Sequence, residues 1–313
     1  MSGEAIERFE CFGGWCAVRV GDPDQEAAQR AARWARRTLL DAHATLSRFD
    51  PESELSRLNR DPRPEVPASL LLRRTVAAAL TAGLRSGGLV DASLVEEIEA
   101  AGYAESRDFD GGRAADGAPL PHPAAPSPRA GWCGFSVNES AGTVNRPPGV
   151  RLDPGGIAKG LMADLVGEAL ADFPTFAVDC CGDLRVGGTA ARPRAILVDD
   201  PTGGPALYQL RIADGAVATS GITRRSWTGE DGRPAHQILD PATGEPAFTG
   251  IVQATAVAPS GLLAETLAKA ALLSGPAHAE EHLPFGGVLV TEDGAVLLVD
   301  ALGAPPLPQV LAR

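Results

Sequence analysis

Apolar residues recur at helical spacing over 24–47, where Ala28, Ala32, Ala35, Leu39, Ala42 and Leu46 form one stripe and arginines take the other faces. The same periodicity predicts a helix over about 67–86, with Leu72, Val76 and Leu80 on one face and Gly87–Gly88 as its stop. A last helix is predicted over 261–274, and a short one begins at Ser53 after the Asp50-Pro51 turn. Strand signals fill the gaps. FECFGGWCAVRV reads as a strand broken by Gly13–Gly14, and FAVDCCGDLRVGG as strand, tight turn and strand. ARPRAILVDD and LYQLRIADGAVATS add sheet strands, and VLVTEDGAVLLVD forms a hairpin turning near Asp293–Gly294. Strands come in antiparallel pairs with helices between them and no long βαβ alternation, which predicts the α+β class.

The stretch 151–173, RLDPGGIAKGLMADLVGEALADF, organises the middle of the chain. It reads as a short apolar strand ending at Asp153, a turn through Pro154, Gly155 and Gly156, and a helix burying Ile157, Leu161, Leu165 and Leu170. Lys159 stands in the first turn of that helix, where the helix dipole disfavours a cation unless a negative group is near. A phosphate or pyrophosphate is one candidate, and a solvated lysine beside a glycine-softened turn is the other. The stretch matches neither a Walker A loop nor a GxGxxG fingerprint.

Composition narrows the function classes. The 313 residues carry a net charge of −12 and no long basic run, which argues against a nucleic-acid backbone binder. Residues 1–20 contain no apolar run long enough for a signal peptide or a membrane span, so a cytoplasmic protein without membrane insertion is expected. The five cysteines form no CxxC pair and no zinc-type spacing, which predicts reduced thiols. Residues 107–130 are rich in Gly, Pro and Ala, and read as a mobile surface loop.

Chemistry-bearing residues fall in four further places. His236 precedes Asp240 in AHQILDPATG and is suited to general-base work near neutral pH. Thr219 and Ser220 lie at a strand end before two arginines, and Asp183 sits in a glycine-lined turn. Glu265 and Lys269 stand one helical turn apart, the spacing of an ordinary helix-stabilising pair.

LSRFDPESELSRLN, GLVDASL, LDPGGIAKGLMAD, CCGDLRVGG, TSGITRR, HQILDPATG and AETLAKAALLSG follow one another as in the ApbE-like family of FAD:protein FMN transferases. By these segments the chain resembles that family from about residue 9 to about residue 300. The resemblance implies one catalytic domain over 1–313, two-lobed, with mainly antiparallel sheets and FAD in a cleft between the lobes. It implies cleavage of the FAD pyrophosphate with a divalent cation, Mg²⁺, and attachment of FMN to a Ser or Thr of an acceptor flavoprotein. Phe12 and Phe49 match aromatic positions near the flavin, and Leu89, Val90 and Asp91 a segment lining the FAD site. Asp153 and Lys159 match polar FAD positions, Ile238 a contact beside the histidine, and His236 the base for the acceptor hydroxyl. Gly156 falls at a backbone metal-ligand position, and Glu265 and Lys269 at two side-chain ones.

Two segments depart from the family pattern, at three positions. Glu265 and Lys269 replace the usual Asp and Thr, and Cys181 replaces the first glycine of a GGD turn. Three activities therefore stay open: FMN transfer, FAD binding without transfer, and hydrolysis of FAD to FMN and AMP.

Overall fold

The computed structural model describes residues 3–106, 119–229 and 231–302. The chain begins with β1 (Ala5–Cys11), β2 (Gly14–Gly21), α1 (Gln25–Leu46), α2 (Glu54–Arg60), β3 (Glu65–Pro67), α3 (Leu70–Arg85) and α4 (Val95–Ala100). After the undescribed segment come β4 (Ser136–Asn138), β5 (Thr143–Asn145), α5 (Ala158–Ala169), β6 (Thr175–Cys180) and β7 (Asp183–Gly187). Next follow β8 (Arg194–Val198), β9 (Tyr208–Ile212), β10 (Gly215–Gly221), β11 (Ser226–Thr228) and β12 (Pro234–His236). The described chain closes with β13 (Ile251–Ala258), α6 (Gly261–Ser274), β14 (Gly287–Thr291) and β15 (Val296–Val299).

Eight strands form the main sheet in the order β1-β2-β6-β7-β10-β13-β14-β15, and every pairing in it is antiparallel. The α+β expectation is met. The predicted stripe of α1 is the face that packs on β1 and β2, and all six of its residues are buried. Asp24 caps this helix by accepting the N–H groups of Glu26 and Ala27, as an N-cap aspartate should. Helix α6 packs on β10 and β13, and α5 on β6 and β7. The two helices also touch each other, and Asp164 of α5 accepts the first N–H groups of α6, from Gly261 at 2.6 Å and Leu262 at 2.9 Å. Leu55, Leu58, Leu72, Val76 and Val144 form a second core beside the small β3-β5-β4 sheet.

Two tight hairpin turns end side by side. Phe12 and Gly13 join β1 to β2, Cys181 and Gly182 join β6 to β7, and all four have positive φ (54°, 72°, 57° and 94°). A two-residue type I′ turn demands that sign at both central positions, so Phe12 and Cys181 hold a conformation glycine would adopt freely.

Two local expectations change. Residues 151–153 form no strand, because the backbone of Leu152 is taken by the side chain of Asn59. Asn59 accepts the Leu152 N–H at 2.7 Å and donates to its carbonyl at 2.8 Å. The mobile-loop expectation falls on residues 107–118, which lie outside the described residues, and on 119–130, whose first part is tied down. His122 N–H donates to Phe248, Ala124 N–H to Leu273, and Ala125 N–H to the Asp240 carboxylate.

Candidate functional site

A cleft of about 520 Å³ opens where the two hairpin turns face the start of α5 and one side of α6. Phe12, Phe49, Leu89, Val90 and Asp91 line it, as do Asp153, Gly156, Lys159 and Ile238. Glu265 and Lys269 reach it from α6. His236 does not line it.

One wall is aromatic. Phe49 leans on Tyr103 with ring centroids 5.2 Å apart, Tyr103 leans on Trp227 at 5.6 Å, and Phe12 meets His43 edge to face at 5.3 Å. The Arg48 guanidinium lies over Phe49 at 4.5 Å and over Tyr103 at 5.3 Å, the spacing of a cation–π contact. Its Nε donates to Asp153 at 3.0 Å and its Nη2 to the Tyr103 carbonyl at 2.9 Å. Such a wall suits a planar ring. Arg48 falls within the LSRFDPESELSRLN segment and His43 beside the α1 stripe, but no local periodicity marks either of them, or Tyr103, as a cleft residue.

The opposite side is charged. The Lys159 ammonium is bound to Asp183 and to Glu265 Oε1, the latter at 2.9 Å. Glu265 Oε2 accepts the Gly160 N–H at 2.9 Å, so both of its oxygens are engaged. Two carboxylates hold Lys159 protonated well above its ordinary range despite burial. Burial is the larger influence on Asp183 and pushes it up to about 6, against the pull of Lys159. Glu265 stays below its usual range, since Lys159, Lys269 and the Gly160 N–H outweigh burial.

Lys269 is arranged differently. Its ammonium donates to Ser220 Oγ at 3.3 Å, its one hydrogen-bond partner among the described residues. The expected Glu265–Lys269 pair is not formed, because Glu265 turns to Lys159. Gly156 makes room for the Lys269 stem: a Cβ there would lie 3.0 Å from Lys269 Cε.

The donor set does not fit a resident divalent cation. Two ammonium groups and two carboxylates already balance, and both Glu265 oxygens are taken by Lys159 and Gly160. Among the described residues no three His, Cys, Asp or Glu side chains gather in a way that could hold an ion.

His236 is fully buried, edge to face on Phe248 at 4.9 Å. Its Nδ1 accepts the Ile238 N–H at 3.3 Å, while Nε2 is buried without a partner. Burial pulls the imidazole down to about 4, so it is neutral at ordinary pH. The next three residues, Gln237, Ile238 and Leu239, line the cleft, whereas the buried imidazole does not. Asp91 shows a similar orphan: Oδ1 accepts from Ser93, whereas Oδ2 is buried without a partner and burial raises the group.

Residues 12–286 match the model of the ApbE family. The chain belongs to that family. It is 29% identical over 293 residues to an FAD:protein FMN transferase of Treponema pallidum, covering 84% of this chain and 77% of that one. It is 26% identical over 252 residues to one of Haemophilus influenzae, covering 76% and 70%. Its fold is similar to that of the ApbE protein of Thermotoga maritima, with TM-score 0.77 and 22% identity over 94% of this chain and 96% of that one. It is similar also to the flavin transferase ApbE of Vibrio cholerae, with TM-score 0.72 and 20% identity over 97% and 100%. This chain thus shares its fold with these solved structures. No helix of the described residues is long and apolar enough to cross a membrane.

Proposed function

We propose that this ApbE family member is an FAD:protein FMN transferase that moves FMN from FAD to a Ser or Thr of an acceptor flavoprotein. The observation that carries this is a cleft with an aromatic wall on one side and, on the other, the Lys269 ammonium, whose one hydrogen-bond partner among the described residues is Ser220. That pairing suits a ligand joining a flat ring to a diphosphate. The Asp91 Oδ2 orphan is an acceptor for a ligand N–H.

In the reaction the acceptor hydroxyl attacks the phosphorus of the FMN half, and the pyrophosphate oxygen bond breaks to release AMP. Phosphoryl transfer asks for charge neutralisation and alignment more than for covalent help. Lys269 supplies the positive charge, and the Lys159–Asp183–Glu265 cluster fixes the start of α5 beside it. His236 takes the hydroxyl proton once the 237–239 segment shifts to uncover it. No step is assigned to Mg²⁺. The burial of His236 favours a second reading, FAD binding without transfer.

Incubation with FAD and a Ser/Thr acceptor peptide separates the readings. Transfer adds the mass of FMN less water to the peptide. Free FMN with an unmodified peptide indicates hydrolysis, and intact FAD with measurable binding indicates the second reading.

A further inference from the structure

Four of the five cysteines, Cys11, Cys16, Cys180 and Cys181, gather where the two hairpin turns meet the cleft. Cys16 and Cys180 oppose each other in the β2–β6 register. The sulfur of Cys16 lies 3.7 Å from that of Cys181, and both thiols point at the Cys11 carbonyl, at 3.7 Å and 3.2 Å respectively. Gly14 leaves the space for this approach, since a Cβ there would lie 3.1 Å from the Cys181 sulfur. Cys181 lines the cleft and is partly exposed, whereas Cys16 is buried behind it.

We propose that Cys16 and Cys181 form a redox-modification site, oxidised to a disulfide by a peroxide, and that the bridge weakens ligand binding in the cleft. Peroxide reaches Cys181 from the cleft and converts its thiol to a sulfenic acid, releasing water. The Cys16 sulfur then attacks the Cys181 sulfur, and a second water leaves as the bond closes. Two thiols and one peroxide give one disulfide and two waters. Closure draws the sulfurs from 3.7 Å to about 2 Å. It pulls the Cys181–Gly182 turn toward β2 and moves the adjoining Asp183, which holds Lys159 and accepts the Thr219 N–H. The hydrogen bond from Cys16 and burial both raise the Cys181 thiol, so oxidation is slow and a reducing environment keeps the pair open.

The test is intact-mass and peptide analysis of the reduced full chain after hydrogen peroxide, with FAD titrated before and after. The expected result is a loss of about 2 Da, a Cys16–Cys181 cross-linked peptide, and reversal by dithiothreitol. FAD affinity should fall at least about fivefold, the low end of ordinary coupling between sites. Cys133→Ser should behave as wild type. Cys181→Gly, which relieves the positive φ and so folds, should show neither mass loss nor affinity change. A bridge between Cys16 and Cys180, or oxygen addition at the exposed Cys133 with Cys16 and Cys181 still alkylatable, overturns the proposal. A Cys16–Cys181 bridge with unchanged FAD affinity overturns the coupling. The mass readout needs no flavin, so it stands or falls apart from the transferase reading.

Discussion

The backbones of Gly160 and Gly261 touch: a methyl group built on Gly160 would overlap the Gly261 carbonyl, and one on Gly261 would crowd that of Gly160. This contact sets the α5–α6 separation. At that separation Glu265 on α6 reaches the Gly160 N–H and the Lys159 ammonium on α5. Packing of two small residues thus fixes the charged side of the cleft.

Gly160→Ala should therefore destabilise the fold by about 1–3 kcal/mol, the usual cost of overpacking a close contact. Chemical denaturation measures it. A change inside about 0.5 kcal/mol, typical of a surface site, would show that the helices separate freely.

Lys159→Met leaves Asp183 and Glu265 buried without their shared cation. Breaking a buried pair by removing one partner costs about 3–5 kcal/mol, so the melting temperature should drop well before any loss of FAD affinity is read. Glu265→Gln at pH 7 keeps the packing and the backbone acceptor, and should cost less. Equal stability of wild type and Lys159→Met would mean that the cluster is not formed in solution.

Much of this was legible in local pattern. The α1 stripe names the same six residues that are buried, and the α6 limits coincide with the periodic apolar run. The glycine turns and the misplaced charge of Lys159 were also visible. Its partners were not: Asp183 is 24 residues away and Glu265 is 106, and no local spacing links them. The Glu265–Lys269 spacing is that of an ordinary helix-stabilising pair, yet tertiary packing turns Glu265 to α5. The strand expected at 151–153 failed for a similar reason, because a side chain 93 residues distant took the backbone groups a neighbouring strand would have used. His236 was recognisable as an imidazole suited to base work, but its burial was not readable from a three-residue strand.

That burial sets a pH dependence. His236 titrates near 4 in the fold against 6.5 ordinarily, so the unfolded chain binds a proton the fold excludes. Its contribution is fully present above pH 6.5 and is lost as pH falls toward 4, amounting to roughly 3 kcal/mol. Asp183 has the opposite sign, since its raised position favours the fold on acidification. The comparison that isolates the imidazole is His236→Gln: stability between pH 7 and 4 should fall less in the variant than in wild type. The same variant should bind FAD nearly as well and lose about 10²–10⁴-fold in transfer rate. Parallel pH curves, or an unchanged rate on an acceptor peptide, would remove His236 from its assigned role.

Lys269 carries the last prediction. Its ammonium has three donors and one partner among the described residues, Ser220, and lies beside the Gly156 turn at the cleft. A dication added there would meet an ammonium that makes no direct ion pair among the described residues, and a Glu265 carboxylate already committed to Lys159 and Gly160. FAD binding by wild type should thus be insensitive to chelator and to added Mg²⁺. Lys269→Met should weaken FAD by roughly ten- to a hundredfold, the worth of a charge-assisted contact of about 1.5–3 kcal/mol. Lys269→Thr removes the charge and adds an oxygen donor, and should make binding respond to Mg²⁺. Isothermal titration of FAD with and without Mg²⁺ against the three proteins decides it. A wild type that binds FAD only when Mg²⁺ is present would show that a cation, and not Lys269, neutralises the diphosphate.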